Sequence, residues 1–319
     1  MSFPDFDALE AELNQLFQNE QVAEALGLIT REGPNFPADR IWVDYWHMVT
    51  AASVGNHQLL FQVAEEALAA GLWYGEGMWR NLPSFQAIQN DPNYERIAAA
   101  SRAAEQREDP ADREVMLVHL PTDHSSASPL LVALHGNQST STQTWPFWKP
   151  AVSQGWVLAL PQSAQAMCKG AYCWDDFDTA RATVDADMSH LRQEIVFDRD
   201  RVVLAGHSMG GLVAVQMALM GTPAVRNFVA IGPAVQFWDA PETLEALLVP
   251  ARERGVRGYL IIGAQDRAVV AEKIHALAGK LRSAGIACDL ETVPDATHDY
   301  SPAYDAALVR ALAFVDPSP

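Results

Sequence analysis

A serine flanked by two glycines is the first candidate for chemistry in this chain. The pentapeptide at residues 206–210, Gly-His-Ser-Met-Gly, follows an apolar run at 201–205 and precedes an apolar, helix-like run at 211–218. On a tight strand-to-helix turn the hydroxyl of Ser208 is exposed. The neighbouring chain then lies so close that the positions two residues before and two residues after the serine have no room for a side chain. The motif therefore predicts a serine nucleophile for acyl transfer, with helix N–H groups favouring the oxyanion.

Such a serine needs a base and an acid as partners, and two later residues of the chain are candidates for these roles. Asp266 and His298 each follow an apolar run, in loops beyond the ends of two predicted strands. Because a neutral hydroxyl is a poor nucleophile, we predict His298 as its base and Asp266 as the carboxylate that orients the base. We predict structural roles for His275, on a predicted helix, and for His207, beside the nucleophile. Three other carboxylates lie closer to His298 in sequence, one in a predicted strand and two in the histidine's own loop: Asp289, Asp295 and Asp299.

The order serine, acid, histidine on three successive strand-end loops resembles the α/β-hydrolase superfamily. The resemblance covers the chain from about Glu114 to its end and implies a serine esterase that needs no cofactor and no metal. It is similar to the carboxylesterases, acyl-protein thioesterases and dienelactone hydrolases of that fold. The resemblance implies catalysis by Ser208, His298 and Asp266 through an acyl-enzyme, with a small-molecule ester as substrate.

An oxyanion hole in this superfamily uses two backbone N–H groups. One comes from the residue after the nucleophile, here Met209. The other comes from a loop after an early strand, and the His-Gly-Asn-Gln sequence at 135–138 matches that loop. A second glycine is common there and is replaced here, so Asn137 and Gln138 both stay candidates for the second donor.

Aromatic residues near these loops are candidates for the walls of a substrate pocket. Each either lines an acyl or alcohol pocket or packs in the interior, and the sequence leaves both interpretations open. The candidates are Trp145, Tyr172, Trp174, Phe237 and Trp238.

Two regions with different periodicity predict two domains. Short apolar runs after residue 113 are typical of buried parallel strands; they lie at 114–120, 130–134, 156–160, 202–205, 228–231, 258–262 and 288–293. Helix-like segments lie between them, at 179–195, 209–220, 242–254, 268–284 and 304–314. We therefore predict an α/β-hydrolase domain, with a mainly parallel sheet flanked by helices, over residues 109–319, and a small all-helical domain over residues 1–108.

The first region contains apolar residues at helical spacing, interrupted by turn signals such as Gly33-Pro34 and Gly55-Asn56. This pattern predicts helix pairs. The pairs resemble tetratricopeptide-like hairpins, and an ordinary small helical bundle would give the same pattern, so both interpretations stay open. The region is rich in aromatic residues, so we expect some of them to pack on the second domain or on another subunit. An alternative function follows from this region: a peptide-binding helical module attached to an inert hydrolase-fold scaffold.

The composition of the 319-residue chain excludes several other classes of protein. With 22 basic and 40 acidic residues, the net charge is −18, which argues against nucleic acid or an anionic membrane as partner. A basic-then-apolar leader and an apolar run of membrane-spanning length are both lacking, so we expect a cytoplasmic protein. The three cysteines are too few for a disulfide framework and show no metal-ligand spacing, although a local Cys168–Cys173 bridge stays open.

Overall fold

The computed structural model describes residues 3–108, 115–221, 225, 227–235 and 241–317. These residues form two compact units. The first contains the described residues up to 108 together with Ala166–Lys169, and the second contains the remaining described residues from 115 onward.

The first unit is helical, as the periodicity predicts. Helices α1 and α2 pack on each other, α3 packs on α2 and α4, and α4 also packs on α6. The predicted helix pairs are therefore present, and side chains cap several of their first turns, as when Asp5 accepts a hydrogen bond from the Ala8 N–H over 2.9 Å. The helices are α1 (Phe6–Gln18), α2 (Val22–Glu32), α3 (Arg40–Ser53), α4 (His57–Ala69), α5 (Glu76–Asn81) and α6 (Pro92–Gln106).

Many aromatic residues of this unit pack on one another. The ring of Trp79 lies 5.6 Å from that of Tyr94 and 5.8 Å from that of Phe85, and Phe17 contacts Trp46 at 6.1 Å. Rings at these separations contribute to stability beyond the area that they bury. Much of the aromatic content of the first unit therefore belongs to its own core.

A short segment of the later chain is part of this helical unit. The N–H of Gly75 donates to the Met167 carbonyl over 2.8 Å, and that of Lys169 donates to the Trp73 carbonyl over 3.0 Å. A β-carbon on Gly75 would lie 2.0 Å from the Ala166 oxygen, so only glycine permits this approach. No pattern in the sequence predicts this exchange, because backbone hydrogen bonds carry it.

The second unit contains a seven-stranded sheet in the order β1-β3-β2-β6-β7-β8-β9. All neighbours are parallel except β1, which pairs with β3 in the antiparallel direction. The seven predicted apolar runs correspond to these seven strands. In chain order the strands are β1 (Leu117–His119), β2 (Leu130–Leu134), β3 (Val157–Leu160), the hairpin strands β4 (Gln165–Cys168) and β5 (Ala171–Cys173), β6 (Val202–His207), β7 (Asn227–Ile231), β8 (Arg257–Gly263) and β9 (Ala287–Val293).

Helices cover both faces of the sheet, which explains why its central strands are almost continuously apolar. One face packs on α7 and α12, and the other on α8, α9, α10 and α11. Five of these helices correspond to predicted segments, whereas α7 was missed because Pro146 and Pro150 lie inside it. The helices are α7 (Ser141–Ser153), α8 (Phe177–Glu194), α9 (Ser208–Met220), α10 (Pro241–Glu253), α11 (Ala271–Ser283) and α12 (Ala303–Val315).

The parallel register brings several loops to one edge of the sheet. Leu134 at the end of β2 pairs with Gly206, and His207 at the end of β6 pairs with Ile231. Gly263 at the end of β8 pairs with Val293 at the end of β9. The loops that follow β2, β6, β7, β8 and β9 therefore leave the sheet at the same edge, where α/β proteins place their binding sites.

Within the described ranges, no helix combines the length and the apolar character needed to cross a bilayer. The same residues contain no group of three His, Cys, Asp or Glu side chains arranged to hold a metal ion. Cys168, Cys173 and Cys288 are buried thiols, and no disulfide joins Cys168 to Cys173.

Candidate active site

Ser208 lies on the sharp turn at which β6 ends and α9 begins, and its φ is +52°. A residue other than glycine pays of order 1–2 kcal/mol for this left-handed conformation. The flanking glycines make the turn possible: a β-carbon on Gly206 would lie 2.2 Å from the Gly210 oxygen, and one on Gly210 would lie 2.3 Å from the His135 oxygen. The close approach of backbone oxygen atoms therefore requires glycine at both positions.

Asp266 and His298 meet at the ends of β8 and β9. The Nδ1 atom of His298 lies 2.8 Å from Oδ2 of Asp266. The carboxylate is fully buried, and its Oδ1 accepts hydrogen bonds from the N–H groups of Ala268 at 2.9 Å and Val269 at 3.3 Å. Because a carboxylate only accepts, Nδ1 carries the proton and Nε2 of His298 is left as the basic nitrogen.

Two of the carboxylates closer to His298 in sequence are engaged elsewhere. Asp289 pairs with Arg282 at 2.8 Å, and Oδ1 of Asp295 accepts a hydrogen bond from Gln265 at 3.3 Å. His275 is exposed on α11, as the helical prediction for its segment implies.

Gly232, which follows β7, is a site residue that the sequence reasoning missed. Its φ is +49°, and a β-carbon there would lie 3.0 Å from Oδ2 of Asp266 and 3.2 Å from Nδ1 of His298. The glycine therefore gives the acid–base pair the space that it occupies. A glycine directly after a predicted strand was the signal that could have identified it.

His207 connects the turn of Ser208 to the loop of His298. Its Nε2 donates to the backbone carbonyl of His298 over 2.8 Å, and the centroids of the two rings are 4.6 Å apart. Phe147 from α7 also stacks on the His207 ring, with centroids 4.4 Å apart. Burial, with a smaller effect from the His298 ring, lowers the pKa of His207 to about 3, so this ring is neutral near pH 7.

The loop after β2 lies against the same turn. A β-carbon on Gly136 would lie 3.3 Å from Cβ of Ser208 and 2.9 Å from Nδ1 of His207. His135 is fully buried; its Nδ1–H donates to the Gly136 carbonyl over 2.6 Å, and its Nε2 accepts the Ser163 N–H over 3.2 Å. Burial lowers the pKa of His135 to about 4, which keeps this second ring neutral as well.

Two of the three oxyanion candidates are adjacent to residues of the nucleophile turn: Met209 follows Ser208, and Asn137 follows Gly136, which lies against Ser208. Met209 is in the first turn of α9, where backbone N–H groups have no acceptor within the helix. Asn137 follows Gly136 directly, and Gln138 has a φ of +62°.

The aromatic candidates have different surroundings. Trp174 is 1% exposed and lies beneath the loop after β2, where its indole N–H donates to the His135 carbonyl over 2.9 Å. Tyr172 is also buried, and its backbone N–H donates to the Ser139 carbonyl over 3.2 Å. Trp145 lies on α7 with its ring 4.0 Å from that of His119. Phe237 and Trp238 lie outside the described residues.

Comparisons with known proteins agree with this architecture. Residues 131–257 match the model of the alpha/beta hydrolase family. Among solved structures, an uncharacterised protein from Bacillus cereus is 20% identical over 98% of this chain and 99% of that chain, with a TM-score of 0.54. Esterase PE8 is 19% identical over 61% of this chain and 96% of that chain, with a TM-score of 0.52. No curated protein matches the chain. At these identities the two structures show a shared fold.

Proposed function

We propose that the protein is a serine hydrolase of carboxylic esters; the α/β-hydrolase fold of the sheet domain and the match of residues 131–257 to the alpha/beta hydrolase family support a hydrolase activity. The observation that carries this proposal is the 2.8 Å contact between Asp266 and His298 at the edge of the sheet where Ser208 occupies its left-handed turn. Burial lowers the pKa of His135 to about 4 and that of His207 to about 3, so both rings are poor proton acceptors, whereas Nε2 of His298 is left as a basic nitrogen by the contact with Asp266.

The first half-reaction forms an acyl-enzyme. Oγ of Ser208 bonds to the ester carbonyl carbon while Nε2 of His298 takes the hydroxyl proton, and Asp266 stabilises the imidazolium. The carbonyl oxygen becomes an oxyanion that accepts hydrogen bonds from backbone N–H groups at Met209 and in the loop after β2. The bond to the alcohol oxygen then breaks, and His298 returns the proton to the departing alcohol.

The second half-reaction releases the acid. Nε2 of His298 takes a proton from a water molecule whose oxygen bonds to the acyl carbon, and a second oxyanion forms in the same hole. When this intermediate collapses, the bond to Oγ breaks and Ser208 recovers its proton from His298. Each step uses side chains or backbone groups of this chain, water and the substrate.

Labelling with a fluorophosphonate tests the proposal directly, because such probes react with an activated serine. We expect the purified protein to be labelled, the modification to map to Ser208, and Ser208→Ala to abolish both labelling and hydrolysis of p-nitrophenyl esters. A triad knock-out leaves only the small residual effect of binding and the oxyanion hole. A folded wild-type protein that is neither labelled nor active would instead favour the inert scaffold with a helical binding module.

The substrate class follows from a second set of measurements. p-Nitrophenyl esters of graded acyl length report the depth of the acyl pocket, and matched acyl thioesters compare the two leaving groups at the same acyl chain. We propose that esters are the better substrates. A thioester preference at every acyl length would transfer the assignment to thioester hydrolysis while retaining the same nucleophile.

A further inference from the structure

Both the oxygen and the nitrogen of the Asn137 side-chain amide are hydrogen-bonded to the segment that follows β5. Its Oδ1 accepts the backbone N–H of Trp174 over 3.0 Å, and its Nδ2 donates to Oδ1 of Asp175 over 2.6 Å. An N–H donor requires the amide oxygen and a carboxylate requires the amide nitrogen, so the two partners determine the orientation of this amide. The bond to Asp175 is charge-assisted and therefore stronger than one between neutral groups.

Trp174 also contacts the residue on the other side of Gly136. Its indole N–H donates to the His135 carbonyl over 2.9 Å, and its ring lies 5.0 Å from the His135 ring. With its side chain 1% exposed, Trp174 is surrounded by packed atoms. The residues before and after Gly136 are thus both tied to Trp174, while Gly136 itself lies against Ser208.

The orientation of the peptide between Gly136 and Asn137 favours Asn137 as the second oxyanion donor. The carbonyl oxygen of this peptide accepts the Nδ1–H of the buried His135 ring over 2.6 Å. In a trans peptide the C=O and N–H point in opposite directions, so the N–H of Asn137 points away from that buried ring. Among the described residues, no group accepts a hydrogen bond from this N–H, which leaves it available for an oxyanion.

From these contacts we propose that Trp174 and Asp175 are positioning residues that hold the backbone N–H of Asn137 in the oxyanion hole. This proposal rests on the proposed acyl-transfer function. Neither residue needs to contact the substrate: the indole N–H of Trp174 holds the His135 carbonyl, its backbone N–H holds the Asn137 side chain, and Asp175 holds the other end of that side chain. An oxyanion donor is effective only when it is aligned before charge develops, so loosening this clamp lowers kcat more than it changes KM.

A double-mutant cycle between Asn137→Ala and Asp175→Ala tests the clamp. Both substitutions leave the backbone N–H of residue 137 in place and introduce no charge next to it. We expect each variant to lower kcat about tenfold with little change in KM, against about 10²–10³-fold for complete loss of an oxyanion donor. If Asp175 acts through Asn137, the double variant has the same kcat as Asn137→Ala alone.

Trp174→Phe tests the other contact, because it removes the indole N–H and keeps a buried ring. The matched control is Trp148→Phe, since Trp148 is also fully buried and donates its indole N–H to Oγ1 of Thr144 over 3.1 Å. Both variants should lose comparable stability in thermal unfolding, but only Trp174→Phe should lose about tenfold or more in kcat.

The results separate the clamp from the proposed function. Suppose that the wild-type protein turns over and that turnover depends on Ser208. An additive double-mutant cycle, or equal kcat for Trp174→Phe and Trp148→Phe, would then overturn the clamp alone. A wild-type protein without turnover at Ser208 would overturn both. Should Trp174→Phe fail to fold, the cycle at Asn137 and Asp175 decides, because Asp175 is exposed and Asn137 is only partly buried.

Discussion

The ring of His207 donates a hydrogen bond to the backbone carbonyl of His298 over 2.8 Å. The residue that precedes Ser208 therefore holds the loop that carries His298. The His207 ring is stacked on Phe147, and burial lowers its pKa to about 3, so it is a poor proton acceptor and acts here as a fixed hydrogen-bond donor. The position of His298 relative to Ser208 thus depends on this hydrogen bond from His207 and not only on contacts between Ser208 and His298 themselves.

Replacing His207 by phenylalanine should lower kcat about tenfold to a hundredfold, because small displacements of a catalytic group are costly. The variant keeps a ring against Phe147 and removes the donor to His298. The control is His124→Phe, which removes a bond of the same kind, from Nε2 to the Val196 carbonyl over 2.6 Å. The measurement is kcat from steady-state kinetics on a p-nitrophenyl ester. An equal loss of kcat in both variants would refute the positioning role of His207.

Asp266→Asn should reduce kcat/KM about 10⁴-fold while leaving the fold intact. An asparagine amide that donates to Nδ1 of His298 favours the tautomer with the proton on Nε2, which cannot accept the proton of Ser208. Asp295→Asn and Asp299→Asn change the neighbouring carboxylates and should retain most of the activity. The acid would be misassigned if either control lost as much kcat/KM as Asp266→Asn.

Gly232→Ala should lower activity strongly, because its β-carbon would lie 3.0 Å from Oδ2 of Asp266. It should also cost about 1 kcal/mol of stability, since alanine disfavours a positive φ. Gly155→Ala isolates that second effect: Gly155 has a φ of +85°, and a β-carbon there meets no atom within 4 Å. We expect similar backbone strain in both variants and a loss of esterase activity only at Gly232.

Ser208→Gly and Ser208→Ala should both be inactive but should differ in stability. Alanine keeps the strain of a φ of +52°, whereas glycine adopts this region freely. We expect the glycine variant to be more stable by about 1 kcal/mol, from chemical denaturation at neutral pH. Equal stabilities would mean that the turn stores no such strain.

The stability of the protein should fall on mild acidification because of His135. Burial lowers its folded-state pKa to about 4, below the value of 6.5 for an unfolded histidine. The unfolded state therefore binds more protons between these two values, so the stabilisation is complete above pH 6.5 and is lost as the pH falls. Between pH 7.5 and pH 5.5 this single group should cost about 1.4 kcal/mol of unfolding free energy.

His135→Gln removes this titration and should reduce the acid-induced loss of stability by that amount. His275→Gln is the control, because the exposed ring of His275 loses little solvent on folding. Urea denaturation at the two pH values provides the measurement. A variant at His135 that retained the full pH dependence would contradict the buried, neutral state of this ring.

Local signals in the sequence were sufficient for the seven strands of the main sheet and for five of the six helices that flank it. Strands covered on both faces must be apolar throughout, so seven short runs such as Leu130–Leu134 predicted seven strands. The helix that was not predicted, α7, contains Pro146 and Pro150. Proline disfavours a helix interior, but the packing of α7 on the sheet outweighs this local preference. The hairpin of β4 and β5 has no apolar run and was not predicted.

The sequence by itself determined which residues could carry the chemistry, because glycines, a serine, an acid and a histidine at strand ends are restricted by local geometry. Only the tertiary structure decided how they are held. The contacts of Gly232 with Asp266, of His207 with His298 and of Trp174 with Asn137 join residues far apart in the chain. Such contacts depend on the register of parallel strands and on the direction of single peptide groups, neither of which local residue patterns encode.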